Sequence, residues 1–166
     1  MYFSGKDSSF YLFENPVMWS DSSQMTGDTI RMVLKDKSLK DFFLSPNGFI
    51  INREHEIIDQ QIKGRFIQGH FEDQKIKHML VEGNAESVYF LQDGDKGYMG
   101  TNFIQCSRMK FNFTSDKKID YIDFFIKPQG QILPLSEGRK KFLEGHHPRY
   151  DEKPESLDDI LKWNKE

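Results

Sequence analysis

Few residues in this chain have the types and spacing that chemistry requires. His146-His147 is an adjacent histidine pair, but a metal site needs several convergent ligands, and neighbours in an extended chain point to opposite faces. Beside Pro148 in a polar stretch, the pair reads as loop. His55, His70 and His78 are scattered among strands, and Glu54-His55-Glu56 has cation-binding residue types without a partner at fixed spacing, so it reads as surface. Cys106 lies between Gln105 and Ser107, with no basic neighbour to favour a thiolate. A single cysteine also excludes an intramolecular disulfide framework and any multi-cysteine metal site. Asp93-Gly94-Asp95-Lys96-Gly97 has the residue types of a calcium loop but neither its length nor its closing Glu. Glycines mark turns rather than a phosphate loop, and Asn112-Phe113-Thr114 is a glycosylation sequon, meaningful only in a eukaryotic secretory setting. Asp120 and Asp123 could pair for acid–base hydrolysis of a carbohydrate, but they differ in strand parity. The expectation is a protein that is not an enzyme, with no cofactor and no metal.

Composition leaves room for a core. The chain has 166 residues, 37% hydrophobic and 30% charged, which suits one domain. Fifteen Phe residues lean towards pleated, half-buried surfaces. A net charge of −3 gives no electrostatic case for nucleic acid, and the lysines sit mainly in turns beside Asp and Glu. No apolar run reaches the ~18 residues of a membrane helix. Met1-Tyr2-Phe3-Ser4-Gly5-Lys6 has neither the basic start nor the apolar stretch of a signal peptide. The chain reads as a segment of a longer exported protein with a start Met added.

The elements that could position a function form a repeated unit: an apolar strand, a charged turn with Asp and Lys, a second apolar strand and a Gly. The copies run Ile30–Leu44 closing at Gly48, Phe66–Val81 closing at Gly83, and Met109–Phe124 closing at Gly130. Their first strands end at Leu34, Phe71 and Phe113, about 40 positions apart, a period typical of stacked units that cannot bury their apolar faces alone. Val88 and Phe90 add another alternating strand. Residues 53 to 61 alternate poorly and are ambiguous between strand and a helical turn. The tail from Pro134 is polar, and Ser156-Leu157-Asp158-Asp159 reads as a capping box opening a short helix from Leu157 to about Trp163.

The fold class expected is therefore all-β: a jellyroll or slotted β-roll of hairpin repeats over 1–133, then a polar tail with a short C-terminal helix over 134–166, one domain overall. Inward candidates are Ile30, Met32, Leu34, Phe71, Met79, Val81, Val88, Phe90, Met109, Phe111, Phe113, Ile122 and Phe124. Two arrangements bury them. One is an ordinary closed core; the other is a V-shaped roll whose Phe- and Met-rich interior accepts lipid chains. Alternation is the same in both.

Motifs in sequence order carry a resemblance. Glu14-Asn15-Pro16-Val17-Met18-Trp19 followed by Gln24-Met25-Thr26-Gly27-Asp28-Thr29-Ile30 resembles the D-P-hydrophobic-hydrophobic-W and Q-hydrophobic-T-G-D-x-I segments of the OstA-like proteins. These form the lipopolysaccharide-transport family of the LptA, LptC and LptD N-terminal type, here in the form typical of Bacteroidetes. Phe71-Glu72-Asp73-Gln74-Lys75-Ile76 and Val81-Glu82-Gly83-Asn84-Ala85-Glu86-Ser87-Val88-Tyr89 are similar to that family's repeat, and Lys153-Pro154 with Leu157-Asp158-Asp159-Ile160 to its closing element.

The resemblance implies a β-jellyroll that is periplasmic, with association with the outer membrane as a further expectation. Its apolar groove would shield the acyl chains of lipid A, and its edges would pair with other jellyroll transport proteins. The function expected is non-catalytic binding or scaffolding of lipopolysaccharide during transport to the outer membrane. The alternative is an inert β-sandwich adaptor, with a closed core, that binds proteins through its edge strands.

Overall fold

The computed structural model describes residues 1–5, 8–55, 58–94 and 97–155. Its strands are β1 (Tyr2–Ser4), β2 (Ser9–Leu12), β3 (Val17–Ser20), β4 (Ser23–Thr26), β5 (Thr29–Lys35), β6 (Ser38–Ser45), β7 (Gly48–His55), β8 (Ile58–Gly64), β9 (Phe66–Glu72), β10 (Lys75–Gln92), β11 (Tyr98–Phe113), β12 (Ile119–Phe125) and β13 (Gln129–Pro134). One helical turn, α1 (Leu135–Gly138), follows. All strand pairings are antiparallel. In the ambiguous stretch after Arg53 the described residues are strand, with Arg53 opposite Asp59 and His55 opposite Ile58, and the helix expected from Leu157 lies outside the described residues.

The long hairpin β10–β11 is the spine. Its turn-distal half, Lys75–Glu82 with Arg108–Phe113, sits in a first half-sheet ordered β1-β2-β5-β6-β9-β10-β11-β12. Its other half, Ala85–Gln92 with Tyr98–Cys106, sits in a second, ordered β3-β4-β7-β8-β10-β11-β13. The three hairpins read from the sequence lie side by side in the first half-sheet. Two of them turn on Asp36-Lys37 and Asp73-Gln74, each with both residues at positive φ, as a tight hairpin that follows the strand twist requires.

The chain passes between the half-sheets at a shared level. The crossings are Glu14-Asn15, Gly27-Asp28, Pro46-Asn47, Arg65, Gly83-Asn84, Ser107 and Ile126-Lys127. Positive φ recurs there, at Glu14, Asn15, Asn47, Gly83, Asn84, Ile126 and Lys127. Adjacent crossings are tied together: Asp28 N–H donates to the Pro46 carbonyl (3.0 Å), Arg65 N–H to Gly83 (2.9 Å), Ser107 N–H to Ile126 (3.3 Å), and the Asn47 amide to the Asp28 carboxylate. The glycines that close the sequence repeats thus fall at or just beyond this line. Gly83, at φ +78°, occupies backbone space that side chains rarely adopt.

Candidate functional site

Register lines up the inward side chains into rungs. In the first half-sheet, one rung reads Phe3, Phe10, Met32, Phe42, Gly69, Met79, Phe111, Ile122. The next reads Leu12, Ile30, Leu44, Ile67, Val81, Met109, Phe124. In the second half-sheet the inward rung is Met18, Met25, Ile50, Ile62, Ser87, Ile104, Gly130. Side chains from both halves share one cluster, so the half-sheets pack face to face. Its members are apolar throughout, with only the Cys106 thiol among them able to titrate, and burial pushes that thiol up.

Ten of the sequence candidates belong to this interior. Ile30, Met79, Val81, Met109 and Phe111 are fully buried, while Met32, Phe71, Phe113, Ile122 and Phe124 are half-buried around the margin. Leu34 is half-buried beside the β5–β6 turn and belongs to no cluster. Val88 and Phe90 must be moved to the other side of the sheet. In β10 the inward residues stay on odd numbers from Met79 through Ala85 to Ser87, so these two even-numbered residues point outward into a second cluster. In β11 the inward set instead changes from Phe111 and Met109 to Cys106 and Ile104 across the register shift. Phe42, Leu44 and Ile67 complete the buried centre; for Phe42 and Leu44 the available signal was their alternation opposite Met32 and Ile30 across the Asp36-Lys37 turn, and for Ile67 its place opposite Val81 across the Asp73-Gln74 turn.

The interior is filled at its centre, where Ile30, Phe42, Leu44, Val81 and Met109 have no exposed surface. At the ends of the stack it is not. Phe3 in edge strand β1 is 53% exposed and Ile132, opposite Asn102 in edge strand β13, is 74% exposed. Such a surface offers no proton, charge or nucleophile; it can only exchange water for apolar matter.

The second cluster lies on the outer face of the second half-sheet and is covered by the chain after β13. Leu135, Leu143 and Tyr150 pack on Phe49, Ile51, Ile58, Val88 and Phe90. Two buried glutamines of one outward rung, Gln24 and Gln61, hold this strap by its backbone. Gln61 donates to the Lys141 carbonyl and accepts from Leu143 N–H, both at 2.9 Å. Gln24 donates to the His147 carbonyl at 2.9 Å and accepts from Arg149 N–H at 2.6 Å. Each amide therefore reads residue n and residue n+2, as a neighbouring strand would.

His146 lies in a loop, as read, but it is not a solvated one. Its Nε2 lies 3.0 Å from Asp59, whose carboxylate also receives two hydrogen bonds from Arg53, so His146 is a near-buried anchor of the strap. Arg53 in turn stacks on Tyr150, 4.1 Å from the ring centre. Burial, aided by the Asp59 charge, pushes the Tyr150 phenol up to about 12. His55 and Glu54 are exposed, as expected. Among the described residues no group of three or more His, Cys, Asp or Glu could hold a metal ion.

No protein-family model matches this sequence, and no curated protein matches it either. Among solved structures the chain is similar to LptH, the LptA-homologous periplasmic component of the lipopolysaccharide transport device of Pseudomonas aeruginosa. The match covers 76% of this chain and 90% of LptH at a TM-score of 0.51. The fold is a jellyroll like that of LptH. With 15% sequence identity, the likeness to LptH is one of backbone architecture.

Proposed function

We propose that this chain is a non-catalytic periplasmic module that shelters the acyl chains of lipopolysaccharide on their way to the outer membrane. The observation that carries this reading is the apolar interior that runs across the stacked strands and ends exposed at Phe3 and Ile132. An acyl chain entering it leaves water at roughly 0.8 kcal/mol per buried CH₂. The half-buried Met32, Phe71, Phe113, Ile122 and Phe124 line the margin that such a chain would reach first. Edge strands β1, β12 and β13 would pair with other jellyrolls by strand addition and continue the trough. The LptH-like fold supports the same reading.

A second reading is favoured by the filled centre: a closed-core adaptor that binds proteins through those same edges. Photo-crosslinking separates the two. A photoreactive residue at Phe113, Ile122 or Phe124 should capture labelled lipopolysaccharide, while one at exposed Asp120 should not. Capture from no inward position would sink the lipid reading and leave the adaptor.

A further inference from the structure

Beyond the apolar inward rung of the second half-sheet, the same face turns polar. Register carries the next inward rung through Ser23, Asn52, Gln60, Tyr89 and Asn102. Each lies two residues along its strand from Met25, Ile50, Ile62, Ser87 or Ile104, and so points to the same side. Tyr89 belongs to neither apolar cluster.

Much of the hydrogen-bonding capacity of this rung is unspent. Pairing of β8 with β10 stops at Val88, and there Gln60 reaches across, its Oε1 accepting from Phe90 N–H at 2.7 Å. That bond fixes the amide and leaves Nε2 as its open end. This nitrogen is buried, on a residue only 7% exposed, and has no acceptor among the described residues. A buried donor without a partner is expensive to keep. Asn52 Oδ1 accepts from the Ser22 and Ser23 hydroxyls at 2.6 and 3.3 Å, which leaves its amide nitrogen open as well. The side chains of Tyr89 and Asn102 hold no hydrogen bond among the described residues.

No Lys or Arg stands on this rung. Burial, aided by the Glu54 carboxylate, pushes the Tyr89 phenol up, so it stays a proton donor. At the tips of the walls, Lys117 of the β11–β12 turn reaches Asp21 of the β3–β4 turn at 3.1 Å, and that cation is spent. Lys35 and Lys40 line a separate cavity of about 500 Å³ with Asp36, Glu72 and Asp73.

We propose that this rung binds the uncharged polar head of an amphiphile whose chain lies against the apolar rungs. The site presupposes the lipid reading and adds to it an orientation and a head chemistry: hydroxyl and amide groups rather than phosphate. Side-chain amides and a phenol both give and accept hydrogen bonds, as hydroxyls and amides do. A phosphate brings acceptors only, and it would meet the Glu54 charge with no free cation on the rung to offset it. The head supplies an acceptor to Gln60 Nε2, and the chain continues onto Ile50, Ile62 and Ile104.

Calorimetric titration of the full chain with dodecyl maltoside and with dodecyl phosphate, both below micelle formation, tests the site. The maltoside should bind about tenfold more tightly or better, and free maltose should show no binding at the same concentrations. Gln60→Leu and Asn102→Leu should each weaken the maltoside about tenfold while leaving dodecyl phosphate within about twofold, and Tyr89→Phe should weaken the maltoside about threefold. Thermal melts identify a variant that has lost its fold. Asn102→Leu and Tyr89→Phe remove groups that hold nothing in the chain, so they carry the test if Gln60→Leu unfolds. Equal binding of the two amphiphiles, unchanged by Asn102→Leu and Tyr89→Phe, would overturn the head site and leave the lipid reading standing. Binding of neither would remove the lipid reading and the site with it. Maltose binding as tightly as dodecyl maltoside would make the rung a site for free sugar and overturn its assignment to a lipid head.

Discussion

Phe42 lies over Gly69: the two are directly opposite in the β6–β9 register, and the ring occupies the space that a side chain on residue 69 would need. A Cβ built there would fall inside the van der Waals contact distance of three ring atoms. Phe42, with no exposed surface, has nowhere to go. Gly69→Ala should therefore destabilise the fold by about 1–3 kcal/mol, as overpacking does. Urea unfolding will measure it, and Phe42→Leu in the same chain should recover part of the loss.

The strap should be loosened by single glutamine changes. Gln61→Ala leaves the buried Leu143 N–H without its acceptor and the Lys141 carbonyl without its donor. Gln24→Ala does the same to Arg149 and His147. Each should cost about 1–3 kcal/mol. Hydrogen exchange at the Leu143 or Arg149 amide should speed up while exchange at Met109, in the other cluster, stays slow.

Acid should weaken the first half-sheet through His78. Burial holds its imidazole below the usual 6.5, and the neighbouring His70 and Lys110 lower it further, against a smaller pull from Glu72 and Asp41. The unfolded chain then takes up a proton at a pH where the folded one resists it. His78's contribution to stability is complete above pH 6.5 and falls as the pH drops through the folded value. Melting temperature should decline between pH 7 and pH 5, and His78→Asn should flatten that decline.

Cys106 should be silent in the native state. It is 8% exposed, and burial raises its thiol, so the thiolate that reacts with disulfide reagents is scarce. Ellman's reagent at pH 8 should label the chain only as fast as it unfolds, and at once in denaturant.

The hairpins were legible because both signals that specify them are local. Ile30, Met32, Phe42 and Leu44 alternate, and Asp36-Lys37 supplies residues at positive φ between them. The strap was not legible for the opposite reason. Residues 139–153 have no periodicity, and their hold on the sheet depends on Gln24 and Gln61, which in sequence look like ordinary strand polar residues. The outward side of Val88 and Phe90 follows from unbroken alternation along β10 from Met79 and Val81, but two apolar residues on an outer face make sense only with the strap that covers them, and nothing local announces that cover.

The shared line of crossings has a mechanical consequence. Ladder hydrogen bonds run within each half-sheet, while the chain passes between halves at single residues or pairs. The angle between the two walls can therefore change by small torsions at Glu14-Asn15, Gly27-Asp28, Pro46-Asn47, Arg65, Gly83-Asn84, Ser107 and Ile126-Lys127, with every rung intact. Widening the interior, as the proposed lipid reading requires, would cost packed contacts between the walls rather than strand pairing.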